Sequence, residues 1–131
     1  MSKYLTFPDI VFKERRLLLA ALAELGYAEI EEGEALALFG YRGDRRAETA
    51  EIVVRRKYVG SLANDIGFTS TPQGYVPLVS EYDQRTAHGG RLLVKLRAAY
   101  SERVIEEVRR RLRGTAQRYV DGSLIKVRVR F

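Results

Sequence analysis

Six apolar residues in the last third of the chain, Leu93, Leu96, Tyr100, Val104, Val108 and Leu112, recur every three or four positions. That spacing places them on one stripe of an α-helix and predicts a helix over Arg91–Arg113, with Gly114 as its stop. A stripe of this length must bury itself against another apolar surface, so the remaining elements have to supply one. Lys13–Leu25 is a second helix by the same criterion, with Leu18, Leu22 and Leu25 on one face, Leu17 and Ala21 beside them, and Gly26 closing it.

The other segments read as strands and turns. Tyr4–Phe12 is rich in aromatic and β-branched residues, and Pro8 within it predicts an edge or a bulge. Ala28–Glu31 and Ala35–Phe39 are short and ambiguous, separated by an acidic turn at Glu31-Glu32-Gly33-Glu34. Gly40-Tyr41-Arg42-Gly43-Asp44 is a polar turn. Thr49–Val59 is a strand whose alternation puts Ile52, Val54 and Tyr58 on one face and Glu51, Val53, Arg55 and Lys57 on the other. Asn64–Ser70 and Tyr75–Tyr82 form a hairpin across Thr71-Pro72-Gln73-Gly74. Asp83–Gly90 is a polar loop. Gln117–Val120 and Leu124–Phe131 form a last hairpin about Asp121-Gly122. This order predicts one α+β domain over 1–131, an antiparallel sheet with two helices packed on one face, with a ferredoxin-like split β-α-β as the nearest simple topology. No linker divides the chain.

Composition narrows the chemistry. The 131 residues are 46% hydrophobic, enough for a core without covalent staples. Cys is absent and His occurs once, which excludes disulfides, cysteine nucleophiles, thiolate metal sites and imidazole-rich metal sites. Carboxylate sites for Mg²⁺ or Ca²⁺ remain open, but no cofactor or metal is called for. The N-terminus lacks the apolar run of a signal peptide, and no stretch approaches the ~20 apolar residues of a membrane span. A soluble cytoplasmic protein is the expectation.

The net charge of +6 is unevenly spread. Residues 1–90 carry 11 basic and 13 acidic side chains, whereas residues 91–131 carry 12 and 4. Such asymmetry can attract nucleic acid, anionic lipid or an acidic protein. In the terminal strand Ile125, Val127, Val129 and Phe131 share one face, and Lys126, Arg128 and Arg130 share the other. This is either a solvated or charge-guarded edge or a cationic ladder for phosphates or an acidic partner. Arg109, Arg110, Arg111 and Arg113 close the long helix, where cations suit the helix dipole. Glu106 and Glu107 lie within reach of Arg103, Arg109, Arg110 and Arg111 for ordinary surface pairing. In Arg55-Arg56-Lys57, alternation turns Arg56 away from its neighbours.

Other candidates each have a bland reading beside the functional one. Tyr58 and Tyr100 sit at core registers, and no ribonucleoprotein-type motif interleaves aromatic and basic residues. His88, in Thr86-Ala87-His88-Gly89-Gly90, is a possible general base, but the sequence names no nucleophile for it. Gly89-Gly90 before a helix is a weak anion-binding signal. Asp65 and Asp83 flank the central hairpin as possible acid/base groups, although Asp at a strand end is commonly a turn residue. Arg42-Gly43-Asp44 spells an adhesion tripeptide and reads more simply as a turn.

Four segments in order carry a family resemblance. They are Lys3–Tyr27 with its closing Glu24-Leu25-Gly26-Tyr27; Gly40-Tyr41-Arg42-Gly43 with the strand Ala50–Arg55; Asp65-Ile66-Gly67-Phe68 with Gly74-Tyr75 and Leu78-Val79; and Leu96–Tyr100 with the Asp121-Gly122-Ser123 turn. Together they resemble the domain-of-unknown-function family twelve fifty-seven, which includes the plastid hypothetical reading frame thirty-five proteins. The chain departs from that family at Lys3 and Tyr4, where His and Phe are usual, at Asn64, where Tyr is usual, and after the third segment, where Trp is usual. The resemblance implies no established activity. Similar proteins are often encoded near AAA-type ATPases, which implies an adaptor or accessory role. The expected function is therefore a small non-enzymatic binding module that docks a protein partner, such as an AAA-type ATPase, through its basic C-terminal third. The alternatives are nucleic-acid binding by the long helix and terminal strand, and an enzyme using His88 with a nearby carboxylate.

Overall fold

The structure, a computed structural model, describes residues 3–86 and 90–116. The expected hairpin over Gln117–Phe131, with Lys126, Arg128 and Arg130, lies outside the described residues, as does His88. The described part is an α+β fold. Its elements are β1 (Tyr4–Thr6), α1 (Arg15–Glu24), β2 (Glu31–Phe39), β3 (Arg45–Val54), β4 (Ile66–Thr71), β5 (Gly74–Ser80), α2 (Glu81–Thr86) and α3 (Leu92–Ala116). Five strands form one antiparallel sheet in the order β1-β5-β4-β3-β2. Strands β1 and β2, which flank α1 in sequence, lie at opposite edges, so the β-α-β passage is split by the three strands between them.

α1 ends as Gly26 predicts. Gly26 has φ +102°, its N–H donates to the Ala23 carbonyl (3.0 Å) and the Tyr27 N–H donates to the Leu22 carbonyl (3.1 Å). That is the Schellman pattern, and Tyr27 and Leu22 are both buried beside it. No side chain caps the other end of α1. Instead the Glu14 N–H donates to the Tyr100 hydroxyl on α3 (3.0 Å). Tyr100 packs edge-on against Phe12, with ring centroids 5.1 Å apart, and Phe12 meets Phe68 of the sheet in the same way at 6.0 Å. Leu17, Leu18, Ala21 and Leu22 of α1, and Leu92, Leu93 and Leu96 of α3, pack with Ile52, Val54, Ile66 and Val79 in this core.

The first strand ends at Thr6, before Pro8, rather than at Phe12, and it lies at the edge of the sheet. Between the pairs Thr6–Leu78 and Phe12–Tyr75, five residues of the first segment oppose two of β5. Gly74 permits the second contact: a Cβ there would lie 2.8 Å from the Phe12 carbonyl oxygen. The opposite face of the sheet holds a smaller cluster of Leu38, Ala50, Val53 and Leu78. Gly67 allows it to close, since a Cβ there would sit 2.7 Å from the Ala50 Cβ.

Several expectations are corrected. The acidic stretch Glu31-Glu32-Gly33-Glu34 is not a turn but the start of β2, an edge strand whose register with β3 shifts twice. β3 begins at Arg45 and ends at Val54, earlier than Thr49–Val59, and a 3₁₀ turn follows at Arg56–Tyr58. Strand alternation therefore does not govern Arg56, and Tyr58 is 41% exposed rather than in the core. The polar loop from Asp83 opens instead as α2, and α3 continues past Gly114 to Ala116. Beyond Val104, which packs on the core, no residue of α3 with a described side chain is buried.

Candidate functional site

The segment joining β3 to β4 crosses one end of the sheet and ends in Asn64-Asp65, both 1% exposed. Asp65 is held by three donors. Its Oδ2 accepts the Phe39 N–H (2.8 Å) and Arg55 Nη1 (2.7 Å), and its Oδ1 accepts the Arg56 N–H (2.7 Å). Its backbone N–H donates to the Phe39 carbonyl (2.9 Å), and its carbonyl accepts the Tyr4 hydroxyl (2.6 Å). The same guanidinium donates to the Ala37 carbonyl (2.8 Å) and to Glu31 (2.6 and 3.1 Å).

Arg55 thus links the ends of β2, β3 and β4. The hydrogen bond to Glu31 first, and that to Asp65, hold its proton more firmly than usual, while Arg55 lowers the Glu31 pKa below the ordinary carboxylate value. Burial, then the Asp65 charge, pushes the Tyr4 phenol above its usual range. The cluster's donors and acceptors are engaged with one another, which is the arrangement of a structural clasp. It lines a cleft of about 420 Å³ with Phe39, Arg56 and Lys57.

Asn64 builds a second network. Its Oδ1 accepts the Tyr41 N–H (3.0 Å), and its Nδ2 donates to Ser80 Oγ (2.9 Å) and weakly to Asp83 Oδ2 (3.4 Å). Its N–H also donates to Asp83 Oδ2 (2.9 Å). Ser80 precedes α2 and caps it: Ser80 Oγ accepts the Asp83 N–H (3.1 Å) and donates to Asp83 Oδ2 (2.9 Å). This is a capping-box spacing, Ser80-Glu81-Tyr82-Asp83, with the return bond made through the serine hydroxyl.

Burial raises the Asp83 pKa, opposed by these hydrogen bonds and assisted by the charge of Asp65. Burial, then the Asp83 charge, pushes Tyr27 up to about 12. Ser80 is fully buried with its hydroxyl engaged as donor and acceptor, so it offers no accessible nucleophile. Among the described residues, no group of three or more His, Cys, Asp and Glu could hold a metal ion.

The structure therefore brings Asp65 and Asp83 to the two sides of Asn64, which the sequence marks only as the start of a strand and a departure from the resembled family. Two signals were present: the adjacent Asn64-Asp65 pair before a strand, and the Ser80-to-Asp83 capping spacing. The positions on which the family resemblance rests are part of the scaffold. Gly40 and Gly43 form the turn between β2 and β3, with Gly43 at φ +78° and the Gly40 N–H bonded to the Asp44 carbonyl (2.8 Å). Tyr41 meets Asn64 through its backbone, Gly67 and Phe68 close the two cores, Tyr75 pairs with Phe12, and Tyr100 accepts the Glu14 N–H just before α1.

The basic candidates separate by position. Arg109 and Arg110 are exposed on α3 and have no ion-pair partner among the described residues, while Arg113 approaches Glu106 at 3.8 Å. Glu107 pairs with Arg16, and Arg103 with Glu24 (3.3 Å), so these side chains bind α1 rather than their own helix. Arg56, Lys57 and the exposed Tyr58 lie at the opposite end of the connecting segment from Asn64, with Lys57 Nζ 4.9 Å from the Tyr58 ring centroid.

Comparison with protein-family models, curated proteins and solved structures found no match, so the family resemblance rests on the quoted residues alone. No described helix is long and apolar enough to cross a membrane.

Proposed function

We propose that this chain acts by binding rather than catalysis, as an adaptor or accessory subunit that presents the last turns of α3 to an acidic protein partner. The observation that carries this reading is the pair Arg109 and Arg110, exposed and without an ion-pair partner among the described residues, on the part of α3 beyond the core. Arg113 extends the same cationic surface. Unpaired cations on an exposed helix face favour encounter with negative charge. An AAA-type ATPase is the partner class implied by the family resemblance. The test is affinity purification from the native host of the wild-type chain and of Arg109→Glu/Arg110→Glu/Arg113→Glu. The reading expects one stoichiometric partner with the wild type and its loss with the variant. Recovery of free monomer only, or of the same partner with both, contradicts it.

A second reading is nucleic-acid binding, and Tyr58 favours it. An aromatic ring 41% exposed beside Arg56 and Lys57 is a stacking platform of the kind single strands use. Fluorescence anisotropy with a labelled single strand at ~50 mM salt tests it, since phosphate contacts give a steep salt dependence. Absence of binding there removes this reading.

A further inference from the structure

Asp83 remains after the clasp and the basic surface are accounted for. Its Oδ2 takes every donor that the network supplies, from the Asn64 N–H, Asn64 Nδ2 and Ser80 Oγ. Its Oδ1 is buried with no hydrogen-bond partner among the described residues. Asn64 and Ser80 are already engaged, so neither has a donor left for it. A buried carboxyl oxygen without a partner is costly, and a bound group that satisfies it recovers that cost.

Asp83 also forms part of the wall of a cleft of about 230 Å³ between the β3–β4 segment and α2. This is below the ~300–1,000 Å³ of sites for drug-sized ligands, and matches one flexible side chain or a small molecule. Among the described residues, Asp83 is the only charged one that lines the cleft. Ser61 Oγ, which has no partner among the described residues, is a second acceptor, and Thr86 Oγ1, which donates to the Tyr82 carbonyl (2.7 Å), keeps acceptor capacity. Val59 and Leu62, the latter 58% exposed, supply apolar surface to the same cleft.

A primary ammonium has three donors and an apolar stem, which matches three oxygen acceptors beside Val59 and Leu62. We infer that this cleft is a binding site for a primary alkylammonium group, with the Asp83 carboxylate as its counter-ion and Ser61 and Thr86 as further acceptors. The group comes either from a free small amine or from a lysine of a bound peptide. The site is independent of the α3 surface and stands whether or not that surface binds a partner.

The test is a titration of ¹⁵N-labelled protein at constant ionic strength with n-butylammonium, with a short peptide containing one lysine, and with tetramethylammonium, which carries charge but no N–H donor. The inference expects saturable shifts at the amides of Ser61, Leu62, Asp83 and Thr86 with butylammonium, the lysine peptide or both, and none with tetramethylammonium. A response to both donors makes the free amine sufficient, and a response to the peptide alone identifies a protein-borne lysine. In Asp83→Asn, where it folds, the affinity falls roughly tenfold or more, the scale of one lost charge-assisted hydrogen bond. Equal shifts with tetramethylammonium, no saturable shift with either donor, or a folded Asp83→Asn of unchanged affinity overturns the inference. The wild-type comparison decides even where the variant does not fold.

Discussion

Replacing Asp65 by Ala removes the group on which the sheet's end converges. Two backbone N–H groups, of Phe39 and Arg56, and one guanidinium nitrogen of Arg55 lose their acceptor together. The Asp65 side chain is only 2% exposed and that of Arg55 20%, so water replaces the carboxylate poorly. Breaking a pair of this kind by deleting one partner costs about 3–5 kcal/mol, a large share of the roughly 5–15 kcal/mol that holds a small domain folded. Glu31→Ala is the internal control. It removes the other carboxylate on the same guanidinium, but the Glu31 side chain is 52% exposed, so its loss costs about 0–1 kcal/mol. Urea denaturation followed by far-ultraviolet circular dichroism measures both, with an unchanged slope expected for each. If Asp65→Ala costs no more than Glu31→Ala, the clasp is not what holds the β2, β3 and β4 ends together.

Tyr100→Phe deletes the acceptor for the Glu14 N–H while keeping the ring, and should cost about 1 kcal/mol by the same assay. Gly67→Val places a side chain where a Cβ alone would lie 2.7 Å from the Ala50 Cβ and 3.2 Å from Leu38, and overpacking should cost at least about 1–3 kcal/mol in denaturation midpoint and slope. Asp83 titrates above the ordinary 3.8, so its contribution to stability is complete below that value and is lost as pH rises through the folded-state value. The stability of the wild type relative to Asp83→Asn should therefore fall with rising pH above 3.8, and a difference that is flat with pH contradicts the raised value. Arg109→Glu/Arg110→Glu/Arg113→Glu should leave the unfolding free energy within ~0.5 kcal/mol of the wild type, because these surface residues make one exposed ion pair among the described residues.

Both long helices were legible because each buries a regular stripe: Leu18 and Leu22 on α1, and Leu93, Leu96 and Tyr100 on α3, are the residues that the spacing selected. The hairpin about Pro72-Gln73 was legible from its turn residues. β2 was not, because an edge strand with two register shifts leaves Glu31, Glu32 and Glu34 in solvent and shows no alternation. Tyr58 reads as buried only if β3 runs on to Val59, five residues beyond its end at Val54. The burial of Asp65 and Asp83 depends on donors 9 to 26 residues away, from Arg55, Arg56, Phe39 and Asn64, and no local pattern encodes such distances. Asp83 alone left a local trace, in the capping spacing from Ser80.

The proposed mode of action is presentation of the end of α3 to a partner. Its most direct test places a photo-crosslinking residue at Arg110 in the native host, with a control at Gln73, an exposed hairpin tip on another part of the fold. One discrete crosslinked protein is expected from position 110 and none from position 73. No crosslink from position 110, or the same products from both positions, would contradict it.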